Sequence, residues 1–335
     1  MKVIGHEGEH SLLALLKKEE LAEALSAGKS HMGAKNVLFE ISISLTEHGL
    51  ANVDLVIQRI FEGLATFRSR VFPEYIFKEI NLMSKISYEY QQRYPSLATT
   101  YCKLARREGL ETFPNRSYLI SRFDPRKVDG LLEILKPQNS FITIVSKDNP
   151  LSKDLITKTE KWMRARYAVG PIEPTLLLQW DTAKSHPETS YPNPNPFIPD
   201  SLDLVPIPND SDYLVPKILS KDSSGIAYIS ADKEFLLPKL CYSFNIKSPK
   251  IRPGNAKSTV LAELYLKFVN ERLLKVSYDA SEAGLQLVQR VVIFFFFSLP
   301  LSLAKSFLSF YFEIDSLVWK RRFLNLLFFL FNYYL

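Results

Sequence analysis

The chain has 335 residues, of which 46% are apolar, 23% charged and 13% aromatic, with 12 Gly and 20 Pro. That composition excludes a disordered or collagen-like polymer, and the length suggests about two domains on a prior of roughly 100–200 residues each. Lys and Arg outnumber Asp and Glu by 42 to 36, but the resulting +6 is spread over several segments, and without a clustered basic patch no nucleic-acid partner is expected.

The first ten residues, Met1-Lys2-Val3-Ile4-Gly5-His6-Glu7-Gly8-Glu9-His10, carry no apolar stretch after the lysine. No signal peptide is read there, and the compartment is left open, cytoplasmic if the chain is expressed as written. From Ser11 to Leu25, leucines face a charged side made of Lys17, Lys18, Glu19, Glu20 and Glu23, and this spacing predicts one amphipathic helix. Val37, Phe39, Ile41, Ile43 and Leu45 then alternate with Leu38, Glu40, Ser42, Ser44 and Thr46, the period of a strand with one buried face.

A helix follows in which Leu55, Ile57, Ile60, Phe61, Leu64 and Phe67 return at three- and four-residue steps. Pro73 opens another, running to about Arg93, since its missing N–H costs nothing in a first turn. Further helices are expected over 96–108 and 125–135, and Phe141-Ile142-Thr143-Ile144-Val145 reads as a short buried strand. Strands followed by runs of helices, with no regular alternation, give an α+β fold class with a mixed or antiparallel sheet.

Eight of the 20 prolines fall between Pro187 and Pro216, which excludes a helix or a central strand and predicts an ordered connector. Beyond it, Leu236 to Ile246 reads as a strand. Thr259 to Ala280 reads as a helix with Leu261, Leu264, Tyr265, Phe268 and Leu273 on its inner side. Composition shifts near Val291: the last 45 residues hold 11 of the 23 phenylalanines and no Gly, in runs such as Phe294 to Phe297 and Leu326 to Phe331. No helical or strand period is read in this stretch. Its longest uncharged run, Val291 to Ala304, contains Pro300 and ends at Lys305, short of the roughly 18–20 residues of a spanning helix. A frameshifted tail is therefore preferred to a membrane anchor.

Several segments, in order, resemble the insulinase/pitrilysin family of zinc metallopeptidases, in particular its insulin-degrading-enzyme-like branch. They begin with Ile4-Gly5-His6-Glu7-Gly8 and Ser11-Leu12-Leu13, then Leu45-Thr46-Glu47 with Gly49-Leu50, Val56 and Ile60-Phe61. Leu135-Lys136-Pro137-Gln138-Asn139 leads into Ile144-Val145-Ser146-Lys147, followed by Glu160-Lys161-Trp162 with Tyr167 and by Asn195-Pro196-Phe197-Ile198-Pro199. Asp232, Phe235, Pro238-Lys239, Ser248-Pro249, Tyr278-Asp279-Ala280 and Ala283-Gly284-Leu285 complete the series. The resemblance implies an internal fragment of a four-domain zinc endopeptidase. Residues 1–175 would be the later part of its second domain, 176–216 the connector, 217–290 the start of its third domain and 291–335 the non-native tail. It also implies peptide substrates and, to close the family's chamber, a companion chain carrying the rest.

His6-Glu7-Gly8-Glu9-His10 satisfies His-x-x-Glu-His. The zinc chemistry needs both imidazoles on one helical face, a Glu to activate water, and a distant third ligand, for which Glu79 or Glu89 could be proposed. Gly8 in the middle and a strand-like Val3-Ile4-Gly5 before it argue against such a helix, and the resemblance places the true zinc helix elsewhere in the family. No metal is expected on this chain, and the chain alone is expected to be inactive; zinc held by His6 and His10 is the alternative. The other reading gives Gly5 and Gly8 a tight backbone path, leaves Glu9 and His10 solvated, and makes Ser11 a helix cap. His31, His48 and His186 read as ordinary surface residues.

By position in the family, Gly5, Glu7 and Gly8 of the turn and Leu25, Ser26 and Ala27 of an edge strand are implied to form an exosite gripping a substrate's N-terminal end. Open edge N–H and C=O groups can add an extended peptide, and Glu7 can accept hydrogen bonds from an α-ammonium. The resemblance thus breaks the first helix near Lys18, against the periodicity. Trp162, Arg164 and Tyr167 suggest an aromatic-cationic box or, more simply, a surface connector. Cys102 and Cys241 lack both Cys-x-x-Cys spacing and disulfide density. The acid pairs Asp200/Asp203 and Asp210/Asp212 read as solvated turn formers.

Overall fold

In the structure, a computed structural model, the described residues are 2–32, 36–90, 96–120, 122–147, 157–202, 215–223, 225–230, 237–246, 255–293 and 308–317. Asp203, Asp210, Asp212, Asp232, Phe235, Ser248, Pro249 and the two apolar runs of the tail lie outside them. The chain divides into two compact units, the first made of 1–85 and 93–194, the second of 86–92 and 195–335.

The first unit opens with helix α1 (Leu12–Lys18), capped by Ser11, whose Oγ accepts from the Ala14 N–H at 3.0 Å. The helix does not continue to Leu25. Glu20 takes a left-handed φ of 57°, the Leu21 N–H reaches back to the Leu16 carbonyl at 2.8 Å, and the Glu20 N–H to that of Lys17. This is the hydrogen-bond pattern of a helix terminated by a left-handed residue, here without the usual glycine. The left-handed cost of roughly 1–2 kcal/mol is offset by full burial of Leu21, 0% exposed, on the scale of about 1.5–3 kcal/mol for a leucine.

Strand β1 (Ala22–Met32) follows and pairs antiparallel with β2 (Asn36–Leu45) in a two-stranded sheet, with Leu25 opposite Ile43 and Ala27 opposite Ile41. The period-two reading of β2 is correct, but its inward face is half-buried rather than buried. Thr46 locks the hairpin's base to the end of α1: its Oγ1 donates to the Glu20 carbonyl at 2.6 Å and its N–H to that of Leu21 at 3.2 Å. The same Oγ1 accepts from the Gly49 N–H, capping α2 (Glu47–Ala51). A Cβ on Gly49 would lie 1.8 Å from the Leu21 carbonyl oxygen, so this contact admits only glycine.

Helix α3 (Val53–Arg68) supplies the main core, with Val53, Ile57, Phe61, Leu64 and Phe67 clustering with Ile4, Leu132 and Trp180. A second cluster joins Leu12, Leu13, Leu16, Leu21, Ala22, Leu25 and Val56, seating α1 on β1. Half-buried Arg59 bridges Glu19 beyond α1 and Glu62 on its own helix, at 2.8 and 2.7 Å. These partners, the Glu19 hydrogen bond foremost, hold its guanidinium pKa above the ordinary value.

Helices α4 (Glu74–Glu89), α5 (Leu97–Glu108), α6 (Asn115–Tyr118) and α7 (Pro125–Ile134) come next, then a 3-10 turn at Pro137–Asn139; α4 is counted with the second unit from Ile86 on. Arg68 donates to the Leu132 and Leu135 carbonyls at 3.1 and 2.5 Å, satisfying acceptors that α7 leaves open at its end. The expected strand over Phe141–Val145 is absent. Ile142 and Ile144 do pack against the core, but Phe141 and Val145 are 84% and 91% exposed and no ladder forms. The segment is neither buried throughout nor paired among the described residues, and a strand needs a hydrogen-bonding neighbour. The hairpin β3 (Thr157–Thr159) and β4 (Arg166–Ala168) precedes α8 (Pro174–Asp181), which contributes Trp180, stacked on Phe61 at 6.2 Å.

In the second unit, β5 (Lys217–Lys221) and β6 (Ile226–Ile229) form a hairpin. Strand β7 (Lys239–Ile246), helix α9 (Ala256–Glu282), β8 (Gln286–Ile293) and β9 (Leu308–Leu317) follow, with sheet order β7-β9-β8, all antiparallel. Strand β9 corrects the reading that no period survives after Val291. Leu308, Phe310, Phe312 and Ile314 alternate there with Ser309, Tyr311, Glu313 and Asp315; the apolar Tyr311 on the polar side had masked the period. Helix α9 ends as α1 does, with Gly284 at φ 82° and the Leu285 N–H donating to the Ala280 carbonyl at 2.9 Å. Asn195 Nδ2 donates to the Asp279 carbonyl at 2.7 Å, and its Oδ1 accepts from the Phe197 N–H, so the Asn195-Pro196-Phe197 turn is pinned to the end of α9.

Helix α9 also corrects the choice of inner side. Leu273 is buried, but Leu261, Leu264, Tyr265 and Phe268 are 46–62% exposed, and Ala262, Leu266 and Val269 face inward instead. No helix among the described residues is long and apolar enough to cross a membrane.

Two substitutions at the end of α1 should act in opposite directions in urea unfolding. Glu20→Gly should stabilise by about 1 kcal/mol through relief of the left-handed φ. Gly49→Ala should cost about 2–4 kcal/mol, because backbone must move to admit the methyl.

Candidate functional site

The His6–His10 segment is a turn leading into α1, not a helix. Ile4, 5% exposed, anchors its start in the core. The His6 N–H donates to the Val3 carbonyl at 3.3 Å, and His6 Nδ1 accepts from the Gly8 N–H at 3.0 Å. The imidazole lies over Gly8, where a Cβ would meet Cε1 at 2.4 Å. Gly8 is buried, Gly5, His6 and Glu7 are half-buried, and Glu9 and His10 are exposed. His10 has a left-handed φ of 60°.

These residues do not fit a zinc ion. The two imidazoles do not share a helical face, and Nδ1 of His6 is engaged by its own turn. Glu79 and Glu89 lie on α4, and no group of three His, Cys, Asp or Glu among the described residues is placed to hold a metal.

The turn is held from a distance by the segment 186–192, which the sequence reading treated as connector. Ser190 N–H donates to the His10 carbonyl at 3.0 Å. Thr189, 0% exposed, shares a 2.9 Å hydroxyl contact with Thr66 of α3, also 0% exposed, and Thr66 Oγ1 accepts from the His186 N–H at 3.0 Å. Lys18 pairs with Glu188 at 2.7 Å, and the lysine's hydrogen bond keeps that carboxyl below its ordinary pKa. Tyr191 donates to the Phe67 carbonyl at 3.0 Å, and Tyr75 donates to the Pro192 carbonyl. His186, read as an ordinary surface residue, is half-buried and accepts the Glu188 N–H on Nδ1. No motif advertises this strap; its only trace is a Thr-Ser-Tyr run among the prolines.

The other half of the candidate site lies in β1. Leu25 is 3% exposed and packs with Leu12 and Leu13, Ser26 is exposed, and Ala27 is half-buried against the core cluster that contains Ile4. The turn, through Ile4, and the strand, through Ala27, therefore border the same core cluster. Among the described residues β1 pairs with β2 alone, which leaves its other backbone edge without a strand. At the adjoining Gly28 an added Cβ would meet nothing within 4 Å, so side chains do not obstruct approach there.

Trp162 and Tyr167 do not enclose a box. They are 79% and 45% exposed on the β3–β4 hairpin, with Lys161 Nζ 5.0 Å from the Trp162 ring centre. Glu160 shapes that tip: its carboxylate accepts the Trp162 and Met163 N–H groups, which hold its pKa below the usual range.

Residues 87–290 match the family model described as the middle or third domain of peptidase M16. Human insulin-degrading enzyme is 26% identical over 287 residues, and the A-factor-processing enzyme of Saccharomyces cerevisiae 28% over 293. These alignments cover 84% and 85% of this chain and 28% of each relative, so the chain spans little more than a quarter of their length. A crystal structure of pitrilysin superposes with a TM-score of 0.69 at 23% identity, covering 96% of this chain and 32% of that one. A further relative, from Schizosaccharomyces pombe and 28% identical over 286 residues, is described as a putative zinc protease.

Thr189→Ala should cost about 0.5–1.5 kcal/mol, the net worth of the hydroxyl contact removed, since Thr66 keeps the Glu62 carbonyl and the His186 N–H, and should speed hydrogen exchange of the Gly8 and Ser11 amides. Burial, with the Asp129 charge second, pushes the Tyr191 phenol up to about 12 from an ordinary 10. The unfolded chain loses that proton first, so stability should be intact below pH 10 and fall between pH 10 and about 12. Alkaline titration of unfolding, compared with Tyr191→Phe, checks the sign.

Proposed function

The chain belongs to the peptidase M16 family, and on that premise we propose that its first unit is a peptide-holding element of an M16 peptidase, distinct from the centre that cuts. The observation that carries this reading is the one-sided pairing of β1, on the same core cluster that holds the start of the Gly5–Gly8 turn. An extended peptide adds to the open edge by main-chain hydrogen bonds, which tolerate many side chains. Its α-ammonium meets the carboxylate of Glu7, with Gly5 and Gly8 shaping the turn and Leu25, Ser26 and Ala27 presenting the edge. The strap holds the turn in place before any peptide arrives, so less ordering is needed on binding.

Zinc belongs to the family's chemistry, and this chain's own residues do not hold it in this reading. Hydrolysis then requires a metal centre that these residues do not supply. The purified chain alone should leave a short unstructured peptide uncut, and added zinc or chelator should make no difference.

The direct test is fluorescence anisotropy with a labelled unstructured peptide bearing a free N-terminus. Binding is expected, with a loss of about 10-fold or more on N-acetylation or in Glu7→Gln, the scale of a charge-assisted hydrogen bond. Equal affinity for the free and acetylated peptides would overturn the reading.

A further inference from the structure

The two faces of the β1–β2 hairpin differ in kind. On the inner face Leu25 lies opposite Ile43 and Ala27 opposite Ile41, packed on the core clusters. On the outer face Ala24, Ser26, Gly28 and Ser30 lie opposite Ser44, Ser42, Glu40 and Leu38. Glu40 is the one charged residue of these pairs. It is exposed, and it stands directly across from the position that has no side chain. Ser30 Oγ donates to Glu40 Oε2 at 2.9 Å, which draws the carboxylate toward β1, the strand whose far edge is open. One donor does not saturate a carboxylate, which accepts several hydrogen bonds. The neighbouring cation of β1, Lys29, belongs to the other face, opposite Phe39.

A peptide added to the open edge of β1 places every second side chain on the outer face. The residue beside Gly28 is two strand spacings from Glu40, about 10 Å. A Cβ at Gly28 would meet nothing within 4 Å, so the path across β1 is clear. Short or branched side chains do not span it. The stems of Lys and Arg do, lying along the glycine and carrying their charge to the carboxylate. We propose that Gly28 and Glu40 form a side-chain subsite that selects a basic residue at one position of the held peptide. Arg is favoured over Lys, because a guanidinium meets a carboxylate through two parallel N–H donors. The inference rests on the peptide-holding reading above and adds a preference that main-chain pairing does not supply.

The test is fluorescence anisotropy of the full chain with a labelled alanine–serine peptide bearing a free N-terminus, and with versions in which one Arg is walked through successive positions. Arg should tighten binding by about 3- to 5-fold, the scale of a cross-strand ion pair, at one position and not at its immediate neighbours, whose side chains take the other face. The gain should vanish in Glu40→Gln. It should also vanish in Gly28→Val, where a branched side chain walls off a carboxylate that is still present. Glu40→Lys separates a lost subsite from a lost fold, because it should transfer the preference to a Glu at the same peptide position. An equal gain at every position, no gain at any, or a gain that survives Glu40→Gln would overturn the subsite and leave the peptide-holding reading standing. A positional gain that depends on Glu40 but is indifferent to N-acetylation would uphold the subsite and sink the anchoring role of Glu7. If no peptide of the series binds, both fall.

Discussion

The first unit depends on a change of direction at Glu20. Leucines and charges carry on past Lys18 in a pattern that a helix would accept, and only the left-handed backbone at Glu20 ends it. Burial of Leu21, together with two hydrogen bonds from Thr46 to the neighbouring carbonyls, holds that conformation in a residue with no intrinsic preference for it. Once the chain has turned, Ala22 to Met32 are free to become a strand, α1 drops onto that strand, and the backbone edge on which the peptide-holding reading rests exists at all.

The second constraint is polar and acts over a long sequence separation. Thr66 and Thr189 are both fully buried; their hydroxyls meet each other and also reach the Glu62 and His186 carbonyls, so neither is left uncompensated in the core. That single contact anchors a strap that also reaches His10, Lys18, Phe67 and Tyr75. The apolar clusters set the packing of α1, α3 and the hairpin, and the strap fixes the turn that leads into them.

Much of this was legible in the residues and some could not be. β2 and α3 follow their periods because each has one apolar face and one partner. Ala283-Gly284-Leu285 announces a helix stop because glycine adopts the left-handed φ without cost, whereas Glu20 does the same work unannounced. Periodicity finds apolar rows on α9 but cannot choose between two of them, and the row with more large side chains proved to be the exposed one. Phe141 to Val145, read as a buried strand, bury only every second residue and find no ladder among the described residues, and β9 was hidden because phenylalanine and tyrosine occupy both of its faces. In the candidate site, the Gly5–Gly8 turn was legible from its glycines, and its proposed role only through resemblance to a family. The residues that hold it, Thr66, Thr189 and Ser190, bear no local signature because their partners are remote in sequence.

The strap also bears on how this polypeptide tolerates being divided. A nick in the exposed stretch around Phe141 leaves both pieces clasped through α3, so the entrance to α1 keeps its shape. Shortening the protein from its far end is harmless to that entrance only as long as Pro192 remains. Cut back through 186–191 as well, and the turn before α1 loses its hold although every helix of the first unit is still present.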